Sequence, residues 1–378
     1  MATFKMPTKI FYGPDSLDEL SHLNMKKVLI ICDPFMAESH KVDVITDILQ
    51  QQNCSYKVFS EVVPDPTVEV VTKAISMAAD LAPDAMIALG GGSAIDTAKA
   101  VRHIYQMAEK SKVCLVCVPT TSGTGSEVTS FAVISDHVHS AKYALVDDAM
   151  IPDIALLDAQ FTMSVPQKVT ADTGMDVLAH TLEAYVSTDA SMFSDACAEK
   201  AMKVIWNDLT IVYRNGQDAK RRESVHNASC LAGMAFSEAS LGICHSLAHA
   251  LGGTFRIPHG RAITLLLPHV IAFNAGLDLA NGAAGLIKYE AAARLLGVQA
   301  GTTQATVHSL IANIKRRADQ LNMPKTVTDA GINETEFIAA IPEMAEKAMH
   351  DRCTKTNPRV PTQEDLENLY KRLCKGGI

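Results

Sequence analysis

"DAMIALGGGSAIDTAKA" (residues 84–100) decides the fold. An apolar run of strand length ends in three glycines, and the chain then takes helical period through "SAIDTAKAVRHIYQMAEK". A strand that turns on glycine into a helix leaves the helix N-terminus open. Unpaired backbone N–H groups there attract a phosphate or another anion. Gly90, Gly91 and Gly92 let a ligand approach the backbone closely, and Ser93 is expected to cap the helix. The pattern is not GxGxxG, and Asp33 precedes the glycines, whereas the ribose-binding acid of that fingerprint follows them. The residues alone support an anion at a strand-to-helix turn.

The neighbouring segments extend the pattern. "KKVLIICD" (26–33), "SYKVFSEV" (55–62) and "KVCLVCVPT" (112–120) read as strands. "VDVITDILQQQN" (42–53) and "TVEVVTKAISMAADLAP" (67–83) read as helices between them. This β-α-β-α alternation predicts a parallel sheet with helices on both faces. "VPTTSGTGSEVTSFAVI" (118–134) forms a second small, hydroxyl-rich loop after a strand, with Thr120, Thr121, Ser122 and Thr124 offering hydroxyls. Two such loops at the carboxyl ends of parallel strands fit a crevice that binds a nucleotide, although Ser and Thr also favour turns for their own sake.

After about residue 162 the rhythm changes. "PQKVTADTGMDVLAHTLEAYVS" (166–187), "DACAEKAMKVIWNDLTIVYRNG" (195–216), "ANGAAGLIKYEAAARLLGV" (280–298) and "TQEDLENLYKRLC" (362–374) all have helical spacing. The expected organisation is an α/β nucleotide-binding domain over 1–162 and an all-α domain over 163–378. With 378 residues, 48% of them hydrophobic, the chain can fill both cores. The net charge of −8 without a basic stripe argues against nucleic acid and anionic membranes as partners. The N-terminal stretch lacks an apolar signal core, and "AITLLLPHVIAF" (262–273) is too short and too interrupted to span a bilayer. A cytoplasmic protein is expected. Nine scattered cysteines suggest reduced thiols, and the Cys114–Cys117 pair reads as strand packing.

The helical half carries the second signal. "GMDVLAH" (174–180) places Asp176 and His180 four apart, one turn above each other on a helix, in otherwise apolar surroundings. "GICHSLAHALGG" (242–253) repeats the spacing with His245 and His249, and "FRIPHGRA" (255–262) adds His259 after a helix break. Burying one carboxylate and several imidazoles without a partner costs several kcal/mol, and a divalent cation removes that cost. Three His and one Asp without Cys suit Fe(II) or Zn(II) and are too nitrogen-rich for Mg or Ca. Spacing leaves open which four of these five side chains are ligands.

These residues, with "PTTSGTGSEVT" (119–129), "AGMAFSEASLGICHSLAHALGG" (232–253), "LLPHVIAFN" (266–274) and "TNPR" (356–359), resemble the iron-dependent (group III) alcohol dehydrogenases nearly end to end. The resemblance implies a dehydroquinate synthase-like fold and Fe(II), with Zn as the alternative, held by Asp176, His180, His245 and His259. It places His249 beside the metal as the catalytic candidate. It implies NAD bound at Gly90, Gly91, Gly92 and Ser93, with Asp96 on the helix behind. Thr120, Thr121 and Thr124 are expected near adenine and ribose, and Lys142 near the nicotinamide ribose. Asp33 matches the position that separates NAD from NADP, and a carboxylate there favours NAD. Phe131 and Phe236 match positions that line the substrate pocket.

The implied activity is interconversion of short-chain primary alcohols and aldehydes, as in similar propanol, ethanol and butanol dehydrogenases. The partner is a small molecule, with a homodimer or larger homo-oligomer and packaging in a bacterial microcompartment compatible with the resemblance. The rivals are a glycerol or polyol dehydrogenase of the same superfamily and a non-catalytic metal- or nucleotide-binding protein.

Overall fold

The computed structural model describes residues 3–136 and 141–374. Six strands form one parallel sheet: β1 (Lys9–Tyr12), β2 (Lys27–Cys32), β3 (Ser55–Phe59), β4 (Ala85–Gly90), β5 (Cys114–Pro119) and β8 (Ile154–Leu157). Their order is β1-β8-β5-β4-β2-β3. β6 (Phe131–Asp136) and β7 (Ala141–Val146) pair as a separate antiparallel hairpin, where the sequence suggested only loop. The helices between these strands are α1 (Glu19–His22), α2 (Pro34–Glu38), α3 (Asp43–Gln51), α4 (Val68–Leu81) and α5 (Gly92–Glu109). After β8 come α6 (Gln167–Val186), α7 (Met192–Arg214), α8 (Ala219–Ala239), α9 (Ile243–Phe255) and α10 (His259–Ala275). α11 (Leu286–Leu295), α12 (Thr303–Gln320), α13 (Glu334–His350) and α14 (Gln363–Lys371) complete the chain. Among the described residues, no strand follows Leu157 and no helix is long and apolar enough to cross a membrane.

The sheet is buried on both faces, and alternate residues of each strand feed different cores. Met86 and Ala88 of β4 join Leu29, Ile31, Leu115 and Cys117 against α4 and α5. Ala85, Ile87 and Leu89 join Val28, Ile30 and Val116 against Ile45 and Leu49 of α3. The Cys114–Cys117 pair lies in β5 as two free thiols, as the strand reading requires, and burial pushes Cys114 up to about 11.

The chain divides into two compact units. One is Lys5–Val165 with Gln217–Gly233, and the other is Met1–Phe4 with Pro166–Gly216 and Met234–Ile378. The first two-thirds of α8, read from sequence with the later helices, thus packs with the sheet. Helical period alone does not say which core a stripe is buried against.

The buried His226 and the half-buried His269 make the fold acid-sensitive. Burial pushes His226 of α8 and His269 of α10 down to about 4, with Lys315 and Arg372 adding to the effect at His269. In the unfolded chain each titrates near 6.5, so the unfolded state binds protons that the folded state refuses. Stability is therefore full above about pH 6.5 and is lost as the pH falls from there towards about 4, where the folded imidazoles also titrate. The expected loss at pH 5 is about 2 kcal/mol per histidine. Urea midpoints of chelator-treated protein at about pH 7 and about pH 5 measure it; His226→Leu should remove about 2 kcal/mol of the difference. An unchanged pH dependence in that variant would show that His226 is not buried as the neutral ring.

Candidate functional site

The sheet unit builds its site at a reversal in strand order. From β2 the chain moves outward to β3, then returns to the other side of β2 with β4 and continues to β5. In open α/β sheets ligands bind at the carboxyl ends of the strands flanking such a reversal. Asp33 follows β2 and the glycines follow β4, so both sit there. Asp33 caps α2, its Oδ1 accepting from Met36 N at 3.0 Å. Its Oδ2 faces Gly90, where an added Cβ would lie 3.6 Å from that oxygen and only 2.6 Å from Ala94 Cβ. The turn has no room for a side chain at Gly90.

The N-cap of α5 is Gly91, not Ser93, which lies two residues inside the helix and accepts from Thr97 Oγ1 through its carbonyl at 2.7 Å. Glycine at the cap leaves the first N–H groups open to a ligand. Asp96 is engaged within the protein: it accepts from Ser126 Oγ at 2.6 Å and from Val133 N at 2.9 Å. Lys99, fully buried, donates to Ser126 Oγ, Thr129 Oγ1 and the Phe131 carbonyl at 2.8–3.1 Å. This pair ties α5 to the hydroxyl loop and to β6. Thr121 and Thr124 lean on the glycine turn; a Cβ on Gly91 would lie 3.0 Å from Thr121 Oγ1, and one on Gly92 2.8 Å from Thr124 Cγ2. Thr120 N donates to the Gly90 carbonyl at 3.0 Å. Ser122 is buried and turned to His226. Phe131 opens β6, and the side chain of Lys142, in β7, lies outside the described residues.

The helical unit builds the other site from α6, α9 and α10. Asp176 Oδ1 is faced by three imidazole Nε2 atoms: His245 and His259 at 3.4 Å each and His180 at 3.7 Å. Asp176, His180 and His245 are buried, whereas the His259 side chain is 39% exposed and opens the cluster to one side. Asp176 Oδ1 and His245 Nε2 are buried without a hydrogen-bond partner. Burial would raise the Asp176 carboxyl, but the imidazoles of His180 and His259 hold it well below the usual carboxylate range. Burial pushes His180 down to about 3, against the pull of Asp176, which keeps it neutral as a ligand requires. The residues fit a divalent iron: one ionised carboxylate and three nitrogens converge with no thiolate, and buried polar atoms lack any other partner.

Neighbouring residues orient this cluster. Glu183, two turns along α6 from Asp176, accepts from His245 Nδ1 at 2.5 Å and from Cys244 N at 2.7 Å. The bond to Nδ1 turns Nε2 towards Asp176. Asn357 of the "TNPR" segment accepts from Ile243 N at 3.2 Å and bonds Asn274 through both amide atoms. Glu183 and Asn357 thereby satisfy the first N–H groups of α9. Gly242 must be glycine beside them, since a Cβ would lie 2.7 Å from Glu183 Oε1. Gly260, after His259, likewise has no space, because its Cβ would collide with the Asp172 carbonyl. His249 Nδ1 lies 2.9 Å from Asp351 Oδ2, and its ring stacks on His259 at 5.4 Å. Its side chain is 44% exposed. Phe236 covers His180, with ring centroids 4.5 Å apart.

Glu183, Asp351 and Asn357 escaped the sequence reading. Glu183 had a signal: 176, 180 and 183 share one helix face. Asp351 and Asn357 are more than 100 residues from His249 and Ile243, their partners; Asp351 had none, and Asn357 only its place in the "TNPR" motif. Glu183→Gln is expected to weaken iron binding by about 10–100-fold, since the amide no longer fixes the His245 ring as the carboxylate does. Competition against a chelator of known affinity measures it; unchanged iron affinity would make Glu183 a helix cap only.

The family model described as iron-containing alcohol dehydrogenase matches residues 7–159, and that described as the C-terminal part of the Fe-containing alcohol dehydrogenase family matches residues 170–374. The chain is 42% identical over 374 residues to the 1-propanol dehydrogenase PduQ of Citrobacter freundii, covering 99% of this chain and 100% of that one. It is 38% identical over 392 residues to the NADPH-dependent butanol dehydrogenase of Clostridium saccharobutylicum, covering 100% and 99%. Its structure is similar to that of sulfoacetaldehyde reductase from Bifidobacterium kashiwanohense in complex with NAD+, with a TM-score of 0.87, 25% identity and coverage of 100% and 99%.

Proposed function

The chain belongs to the iron-containing alcohol dehydrogenase family, and from that premise we propose that it interconverts short-chain primary alcohols and aldehydes with NAD(H) and iron. The observation that carries the reading is the convergence of three Nε2 atoms within 3.4–3.7 Å of a single Asp176 oxygen. Asp176, His180, His245 and His259 would hold the metal. The glycine turn, with Gly90, Gly91, Gly92 and Ser93, would hold the dinucleotide phosphates, with Asp33 at the ribose. Thr120, Thr121 and Thr124 would line the adenine side and Lys142 the nicotinamide side. Cofactor binding is thus assigned to the sheet unit, and metal and substrate binding to the helical unit.

When bound, iron polarises the substrate oxygen as a Lewis acid, and the nicotinamide carries the hydride. The chain's own groups do the rest. Glu183 and the α6 scaffold keep the imidazoles aimed before any ligand arrives, so little reorganisation is needed. Phe236 walls the cluster beside His180 and is assigned to the substrate pocket. His249 Nδ1–H donates a hydrogen bond to the Asp351 carboxylate, so Nε2 would be the atom to take the hydroxyl proton during alcohol oxidation. Its exposed edge gives that proton a way to solvent. A cytoplasmic homo-oligomer completes the reading.

The test is a panel of short aldehydes with NADH and NADPH on protein loaded anaerobically with Fe(II) or, separately, Zn(II). NADH oxidation with three- or four-carbon aldehydes, strongest with Fe(II), is expected. Absence of turnover with every aldehyde and both metals would favour a non-catalytic binding protein; turnover confined to polyols would favour the glycerol dehydrogenase rival.

A further inference from the structure

Helix α8 touches the hydroxyl loop at three points on one stripe. His226, Cys230 and Gly233 stand at i, i+4 and i+7, a single helix face. Ser122 Oγ lies 3.0 Å from His226 Nδ1, with both side chains buried. Cys230 hydrogen-bonds the buried Glu127 carboxylate. A Cβ on Gly233 would lie 2.8 Å from Gly125 Cα, so glycine is what lets the helix approach. Gly125 itself is left-handed, with φ +60°. The loop held this way carries Thr121 and Thr124, whose side chains press on Gly91 and Gly92.

The imidazole is a costly choice at this place. It is 2% exposed, its Nε2 has no hydrogen-bond partner, and burial keeps the ring neutral. An apolar side chain of similar volume would fill the site without an unpaired buried nitrogen. What an apolar side chain would lack is the bond to Ser122. We infer that His226 is a positioning residue for the dinucleotide: through Ser122 it fixes the Thr120–Gly125 segment against the glycine turn. The inference rests on the proposal that NAD binds at that turn.

The experiment is fluorescence titration of NADH into the iron-loaded full chain, with kcat and KM measured beside it. Wild type is compared with Ser122→Ala, His226→Leu and His226→Asn, whose amide can sit where Nδ1 sits. Loss of one positioning bond should raise the NADH dissociation constant about tenfold in Ser122→Ala and His226→Leu, with kcat at saturating NADH within about twofold. His226→Asn should stay within about threefold of wild type. The melting temperature of His226→Leu should not fall, which separates positioning from scaffolding. Wild type that binds NADH beside Ser122→Ala and His226→Leu that bind it equally well would overturn the inference and leave the cofactor reading standing. Wild type that does not bind NADH would overturn both. If His226→Leu fails to fold, Ser122→Ala, which deletes one oxygen, decides alone.

Discussion

Asp176→Ala should strip iron from the chain and lower kcat/KM for aldehyde reduction about a thousandfold, because the Lewis acid contributes several kcal/mol to the barrier. Asp176 is the only ionised ligand proposed, and the other three meet at its Oδ1. Removing it leaves a neutral set of imidazoles. It also leaves the Glu183–His245 pair without the carboxylate that His245 faces. Each imidazole alone is replaceable in part by water, whereas the charge that offsets the cation is not. Metal content per chain, measured by atomic absorption after gel filtration, should fall below about a tenth of wild type, with the far-ultraviolet dichroism unchanged. Stoichiometric iron in the variant, or full turnover in its absence, would put the metal elsewhere. The metal-free variant should also bind NADH as wild type does, since the glycine turn belongs to the other compact unit.

The parts of this molecule that were legible from sequence are those coded by short periods. A strand that alternates into two cores and a helix opened by glycine are local patterns, so β4, the turn and α5 could be read directly. Four-residue spacing alone puts Asp176 over His180 and His245 over His249. The hairpin β6–β7 was hidden because "SEVTSFAVI" reads as a hydroxyl-rich continuation of the preceding loop, although Ala132 and Ile134 are buried and alternate with the more exposed Phe131 and Val133. The N-cap of α5 was displaced by two residues, since Ser is the better capping side chain but Gly91 is where the backbone leaves the helix. Asp96, set by resemblance on the helix behind the glycines, accepts from Ser126 Oγ and Val133 N, partners that only the folded loop and hairpin bring to it. The residues that hold others in place (Asp351, Asn357 and His226) act across more than 100 positions of chain. Only the assembled helices bring them to their partners.

Asp33→Gly should change the preference for NADPH over NADH by about a thousandfold, the second of the two large effects expected. The carboxylate sits at the end of β2 with one oxygen committed to Met36 N and the other facing Gly90, beside the turn proposed for the phosphates. A ribose 2′-hydroxyl can donate to that second oxygen, a charge-assisted bond of about 1.5–3 kcal/mol. A 2′-phosphate placed there would meet a like charge, at a cost of a few kcal/mol near a partly screened surface. Removing the carboxylate takes away the first and relieves the second, and the two together give about 4 kcal/mol, roughly a thousandfold in the ratio of kcat/KM values. Asp33 also caps α2, so glycine, which substitutes at an N-cap at a cost of only a few tenths of a kcal/mol, is the right replacement and alanine is not. The relative from Clostridium saccharobutylicum is named for NADPH at 38% identity, so family membership does not by itself settle coenzyme choice and the side chain at this position must be tested directly. A ratio unchanged by Asp33→Gly, with α2 intact by hydrogen exchange, would mean that the 2′ position of the ribose lies away from β2 and that the dinucleotide crosses the turn in another orientation.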